Sequence, residues 1–153
     1  MHSLLNRVNR ISLVAVIFIG FMSSCLLMAT SFELQNFNSN AQTVDVMYNF
    51  DEGDVAGFQF EVSGLTLSGA SGGASDEAGF TVSAGTSVVL GFSFSGAVIP
   101  EGSGLLTTLS YSEISAEACL SNTIATVPGG QSEYDSNEGG PSCISTADAP
   151  LTA

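Results

Sequence analysis

From residue 43 onward the chain alternates between apolar and polar positions. Over residues 43–50, Val44, Val46, Tyr48 and Phe50 fall on one side, and Asp45, Met47 and Asn49 on the other, with Asp51 continuing the polar side. A period of two is that of a strand with one face against a core. Asp51, Glu52, Gly53 and Asp54 supply a turn, and the alternation resumes over residues 55–63. There Ala56, Phe58, Phe60 and Val62 point inward, and Gly57, Gln59 and Glu61 outward. Two such strands around a short turn predict a hairpin.

Leu65 and Leu67 form a further short strand before a flexible Gly- and Ser-rich loop at 68–75, and Phe80 and Val82 mark the next strand. Residues 87–95 alternate again, with Leu90, Phe92 and Phe94 assigned inward and Gly91, Ser93 and Ser95 outward. After the break at Pro100 and Gly102, Leu105, Thr107, Leu109 and Tyr111 define another strand. Weaker β segments are expected near 123–127 and 142–146. Short strands and turns at this spacing predict an all-β fold, an antiparallel β-sandwich. Phe58, Phe60, Phe92 and Phe94 are then expected in its core, and the Gly and Ser opposite them make flat faces open to a partner.

The N-terminal pattern is different. Residues 11–29, ISLVAVIFIGFMSSCLLMA, are almost continuously apolar and follow Arg7 and Arg10, the layout of a secretory signal. At about 1.5 Å per residue the run reaches roughly 28 Å, enough for an uncleaved anchor helix with both arginines on the cytoplasmic side. Cys25 after Met22, Ser23 and Ser24 faintly matches a lipidation box, but Leu26, Leu27 and Met28 continue the apolar run where a polar tether belongs. The expected organisation is a signal peptide or membrane anchor at 1–31, a linker at 32–42, a β-sandwich at 43–146 and a tail at 147–153. The product is expected to be secreted or at the cell surface, and membrane-anchored if 11–29 is retained.

With 153 residues there is room for one domain of ordinary size beyond that segment. Net charge is −13, and Arg7 and Arg10 are the only cationic side chains apart from His2. Every carboxylate lies later in the chain, from Glu33 to Asp148. This balance excludes nucleic acid as a partner, and disfavours anionic membranes and phosphorylated substrates. Past the apolar run there is no His, Lys or Arg, which removes the essential participants of triad, Schiff-base and histidine-metal chemistry. Paired carboxylates survive as a catalytic option, with Glu61, Glu77, Glu101, Glu113 and Glu117 as nominal members. With no Trp to stack on a sugar, nothing marks them off from solvated surface, and no enzyme is expected.

Cys119 and Cys143 are the cysteines beyond the apolar run, and in an exported chain they should form a disulfide. By chain entropy such a bridge contributes about 3 kcal/mol. No cofactor is expected. Asp51, Glu52 and Asp54 form a candidate calcium turn, because hard cations favour clustered oxygen ligands. Asp135, Asn137 and Gly140 imitate the start of an EF-hand loop, but Thr146 holds the twelfth position and no helix flanks it.

VAGFQF at 55–60 and IPEGSGLLTTL at 99–109 together resemble the cohesin-like domains of extracellular scaffold proteins. The resemblance extends over 43–144, and includes the stretch Glu117, Ala118, Cys119, Leu120, Ser121 that leads to a second cysteine near the end of the domain. It implies a jelly-roll β-sandwich of the kind shared by cohesins and carbohydrate-binding modules, acting by protein binding on a sheet face, with a dockerin-like protein as the partner. The alternatives are a carbohydrate-binding module, which the missing Trp argues against, and a passive envelope or virion-surface domain.

Overall fold

A computed structural model of the chain describes residues 30–130, 133–134 and 141–147. The apolar run at 11–29, the EF-hand-like stretch beginning at Asp135 and most of the tail lie outside these residues. The order of elements is β1 Ser31–Asn38, β2 Thr43–Phe50, β3 Gly57–Ser71, α1 Gly73–Glu77, β4 Thr81–Ala84, β5 Val88–Phe92, β6 Gly102–Thr126, β7 Glu133–Tyr134 and β8 Ser142–Ser145. All strand pairs are antiparallel, and hydrogen bonding links them in the order β1-β2-β6-β3-β5-β4, with β7 and β8 also on β6.

The two long strands make this path a sandwich. The first part of β6 pairs with β2 and with the end of β3, and the later part pairs with the start of β3, with β7 and with β8. One layer is therefore β1, β2 and the adjoining halves of β6 and β3. The other is β4, β5 and the remaining halves, with β7 and β8. The layers meet through aromatic side chains: Phe32 on β1 lies 6.1 Å from Phe60 on β3, although β1 and β3 share no ladder. Phe32, Val44, Val46, Phe50, Phe58, Phe60, Val62, Leu106, Leu109 and Leu120 fill the space between them. The antiparallel β-sandwich expected from the alternation is the observed fold.

The alternation of β2 and of the start of β3 appears as expected: Val44, Val46, Phe50, Phe58, Phe60 and Val62 are all buried. Their pairing is not as expected, because β2 and β3 do not form a hairpin. β6 lies between them, and residues 51–56 cross from one layer to the other. Alternation specifies which face a strand buries and leaves its neighbour open; two apolar faces can meet across a core as well as side by side.

Residues 32–42 are a second departure. They are not a linker, since most of them belong to β1, which pairs Phe32 with Tyr48 and Leu34 with Val46 and buries Phe32, Leu34 and Phe37. Asn36 has φ 50 and lies in a register shift between Gln35 and Asn38. That bulge moves the inward parity from Leu34 to Phe37, so no single period of two runs through the segment. The turn into β2 is held by Asn38 Oδ1, which accepts from the backbone N–H groups of Asn40 and Ala41.

Two local readings also change. The 68–75 segment is partly ordered structure: β3 continues to Ser71, and the buried Ser75 hydroxyl of α1 donates to the Leu106 carbonyl at 2.8 Å. The separate strands expected near 105–111 and 123–127 are parts of one strand, β6. Its residues 112–117 are all exposed and carry no alternation, which hid the continuity.

Among the described residues there is no Lys, Arg or His, so carboxylates are met by neutral donors. Thr108 and Asn36 donate to Asp45 at 2.7 and 3.0 Å, Thr30 to Glu52 at 3.1 Å, and Asn122 to Glu61 at 2.9 Å. Hydrogen bonds satisfy the oxygens and leave the charge in place. Raising NaCl from about 10 mM to about 1 M shortens the screening length from about 30 Å to about 3 Å. Thermal melts followed by circular dichroism should rise by roughly 5 °C or more over that range; an unchanged or falling midpoint would show that repulsion among the acids is not limiting.

Candidate functional site

β5 runs between β4 and β3, and its register with β3 decides what it shows to solvent. Gly91 lies opposite Phe58 and Val89 opposite Phe60, on the core side. Phe92 lies opposite Gly57, Leu90 opposite Gln59 and Val88 opposite Glu61, on the outer side. Leu90 is accordingly 41% exposed and Phe94, beyond the strand, 87% exposed, while Val89 is fully buried. This reverses the expectation that Leu90, Phe92 and Phe94 point into the core.

The reason is a ring from another strand. A Cβ on Gly91 would lie 2.2 Å from the Phe58 ring. That ring is buried and hemmed in by its neighbours, stacking at 6.0 Å from Phe60 and 6.1 Å from Phe80. Phe58 therefore occupies the volume that a side chain at 91 would need, and glycine is the residue that fits beneath it. With position 91 inward, the even positions must face out.

Phe94 is presented on a built turn. The Ser93 hydroxyl oxygen accepts from the backbone N–H of Ser95 at 3.3 Å and of Ala97 at 3.1 Å, and Phe94 packs edge-to-face on Phe92 at 4.9 Å. These contacts restrict the aromatic without covering it.

Across the sheet from Leu90, Gln59 is followed by Ile124 on β6, so an apolar row crosses three strands with one amide in it. In the next row Gly57 separates Phe92 from Thr126, and the bare backbone there leaves a shallow groove of about 300 Å³ lined by Gln59, Leu90, Phe92, Ile124, Thr126 and Glu133. Glu61 lies beside Val88 on the same face, and exposed Glu133 lies at the other end, opposite Thr126. Next to Glu133, the Tyr134 hydroxyl donates to the Asp54 carbonyl at 3.0 Å. Burial raises the pKa of Tyr134, and the nearby carboxylates of Asp54, Glu52 and Glu101 raise it further. The phenol therefore stays protonated beyond its ordinary range. Its contribution to stability is present below pH 10 and is lost as pH rises through the raised value.

The candidate calcium turn does not gather its carboxylates. Asp54 Oδ1 accepts from the Glu101 N–H at 3.1 Å, Glu52 Oε2 accepts from Thr30, and Asp51 Oδ1 is buried with no hydrogen-bond partner among the described residues. Among the described residues, one set of three ligating side chains comes within 4.8 Å of one another: Glu117, Cys119 and Cys143. Its two sulfurs are already joined, because Cys119 on β6 and Cys143 on β8 are register partners linked by a disulfide. The nominal catalytic glutamates are dispersed: Glu61 on β3, Glu77 on α1, Glu101 before β6, and Glu113 and Glu117 along β6.

The two motifs noted in the sequence meet in space. Val55, which opens the first, and Ile99, which opens the second, exchange both backbone hydrogen bonds at 2.8 Å. No family model and no curated protein matches the chain. Among solved structures, it is similar to a chain in the crystal structure of a CaDoc0917–CaCohA2 complex at pH 5.5, with TM-score 0.52 and 13% identity over 76% of this chain and 98% of that one. At that identity the likeness concerns the fold, a cohesin-like β-sandwich, in agreement with the resemblance at 55–60 and 99–109.

Proposed function

We propose that this chain is a non-catalytic, cohesin-like protein-binding module for adhesion or scaffolding, and that it recognises its partner with the outer face of β3, β5 and β6. The observation that carries this is the ordered, solvent-facing apolar row of Leu90, Phe92 and Phe94, backed by Ile124. A folded chain exposes a contiguous patch of large apolar side chains at a cost in solubility, and such patches mark surfaces that are covered in use. Exposed aromatics restrained by their neighbours also lose little entropy on binding, the property of interface anchors. The similarity to a chain found within a two-protein complex supports the same reading. Secretion or cell-surface display belongs with it: the Cys119–Cys143 disulfide suits an oxidising compartment, and the apolar run at 11–29 suits export or anchoring.

Protein and glycan arrays probed with the wild-type chain and with Leu90→Asp test the assignment. A protein ligand should be bound by the wild type and lost at least tenfold by the variant, with melting temperatures within about 3 °C because residue 90 is half in water. Hits confined to glycans, or protein hits indifferent to Leu90→Asp, would overturn it.

A further inference from the structure

The charges around this face say what kind of surface can cover it. We propose that the partner is a cationic protein surface, with an apolar centre seated across Leu90, Phe92 and Ile124 and lysine or arginine side chains set against Glu61 and Glu133. The inference rests on the protein-binding reading above and adds the chemistry of the partner to it.

The groove is bounded at both ends by carboxylates. Glu61 Oε2 accepts one N–H from Asn122, a neutral donor that leaves the negative charge and further acceptor positions available. Glu133 is exposed at the opposite end. No cation is present among the described residues to compensate either of them.

A neutral or acidic partner that covered the groove would desolvate or approach these carboxylates without a counter-charge, at a cost that the small apolar row would have to offset. A cationic partner gains the same contacts and is also drawn in by the long-range field of a chain with net charge −13. A second copy is disfavoured on the same ground, because self-pairing of the face brings Glu61 and Glu133 of two chains into one interface.

The test is selection of binders from a displayed library of small folded domains with a randomised surface, using the full chain as bait. Binders that need Leu90 are kept by counter-selection on Leu90→Asp. Those binders should carry an excess of Lys and Arg over Asp and Glu, and their association rate should fall at least tenfold between about 50 and 500 mM NaCl. The double variant Glu61→Gln, Glu133→Gln should slow association several-fold, whereas Glu77→Gln on α1, which removes a charge elsewhere, should leave it near wild type. Leu90-dependent binders that are neutral or acidic and insensitive to salt would overturn the cationic partner while leaving protein binding intact. Absence of any Leu90-dependent binder would overturn both, and a concentration-dependent dimer abolished by Leu90→Asp would replace the cationic partner with a second copy.

Discussion

Gly64→Ala is expected to lower the melting temperature by about 15 °C. Gly64 has φ +81, and a Cβ there would lie 1.9 Å from the Glu117 carbonyl oxygen and 3.1 Å from the Ala118 Cα. These are backbone atoms, so no rotamer change relieves the overlap; β6 itself must move away from β3. The left-handed conformation costs alanine about 1–2 kcal/mol, and relieving the overlap costs about 1–3 kcal/mol more.

The position also has a role in the fold. Before it β3 buries Val62, and after it Leu65, so the inward parity changes from even to odd within the register shift between Ser63 and Leu65. One strand can thereby serve both layers of the sandwich. Gly69→Ala on the same strand is the control, because a Cβ there meets nothing within 4 Å. Its melting midpoint should stay within about 3 °C of the wild type. Circular dichroism melts of the three proteins decide the matter, and equal midpoints for Gly64→Ala and Gly69→Ala would refute the close approach of β6.

Gly91→Ala is expected to cost about 3 kcal/mol, and that cost should be partly recovered by shortening Phe58. The added methyl would meet the Phe58 ring at 2.2 Å, and the ring is held between Phe60 and Phe80. Phe58→Leu alone should cost about 1–2 kcal/mol by lost burial. In the double variant the smaller side chain makes room for the methyl, so the combined loss should fall short of the sum by at least about 1 kcal/mol. Urea denaturation midpoints at constant slope measure each term. Simple additivity would mean that Gly91 and Phe58 are not opposed, and with that register the outward face of Leu90 and Phe92 would also be lost.

The two glycines mark how far local pattern reaches. In the β5 stretch, Val88, Leu90 and Phe92 make one parity strongly apolar, while Val89 and Gly91 make the other weaker. Counting side chains buries the first set. The structure buries the second, because Phe58 fills the space that Gly91 leaves empty. The one local hint was a glycine flanked by large apolar residues, a sign of close approach by another group. β1 was obscured differently: Phe32, Leu34 and Phe37 are all buried, but the positive φ at Asn36 breaks their spacing. The outer face proposed here for partner binding was hidden for the same reason as β5, since it consists of residues whose hydrophobicity argued for the core.

From sequence alone the β class, the buried faces of β2 and the start of β3, the partnership of Cys119 with Cys143 and the cohesin-like pattern at 55–60 and 99–109 were all legible. Each rests on local periodicity, on the chemistry of a single pair or on a contiguous motif. Tertiary structure decided the rest: β6 between β2 and β3, β1 as a strand, and the outward turn of Leu90, Phe92 and Phe94. A period of two leaves both parity and neighbour undetermined, and these are set by which side chain from a distant strand already occupies the space.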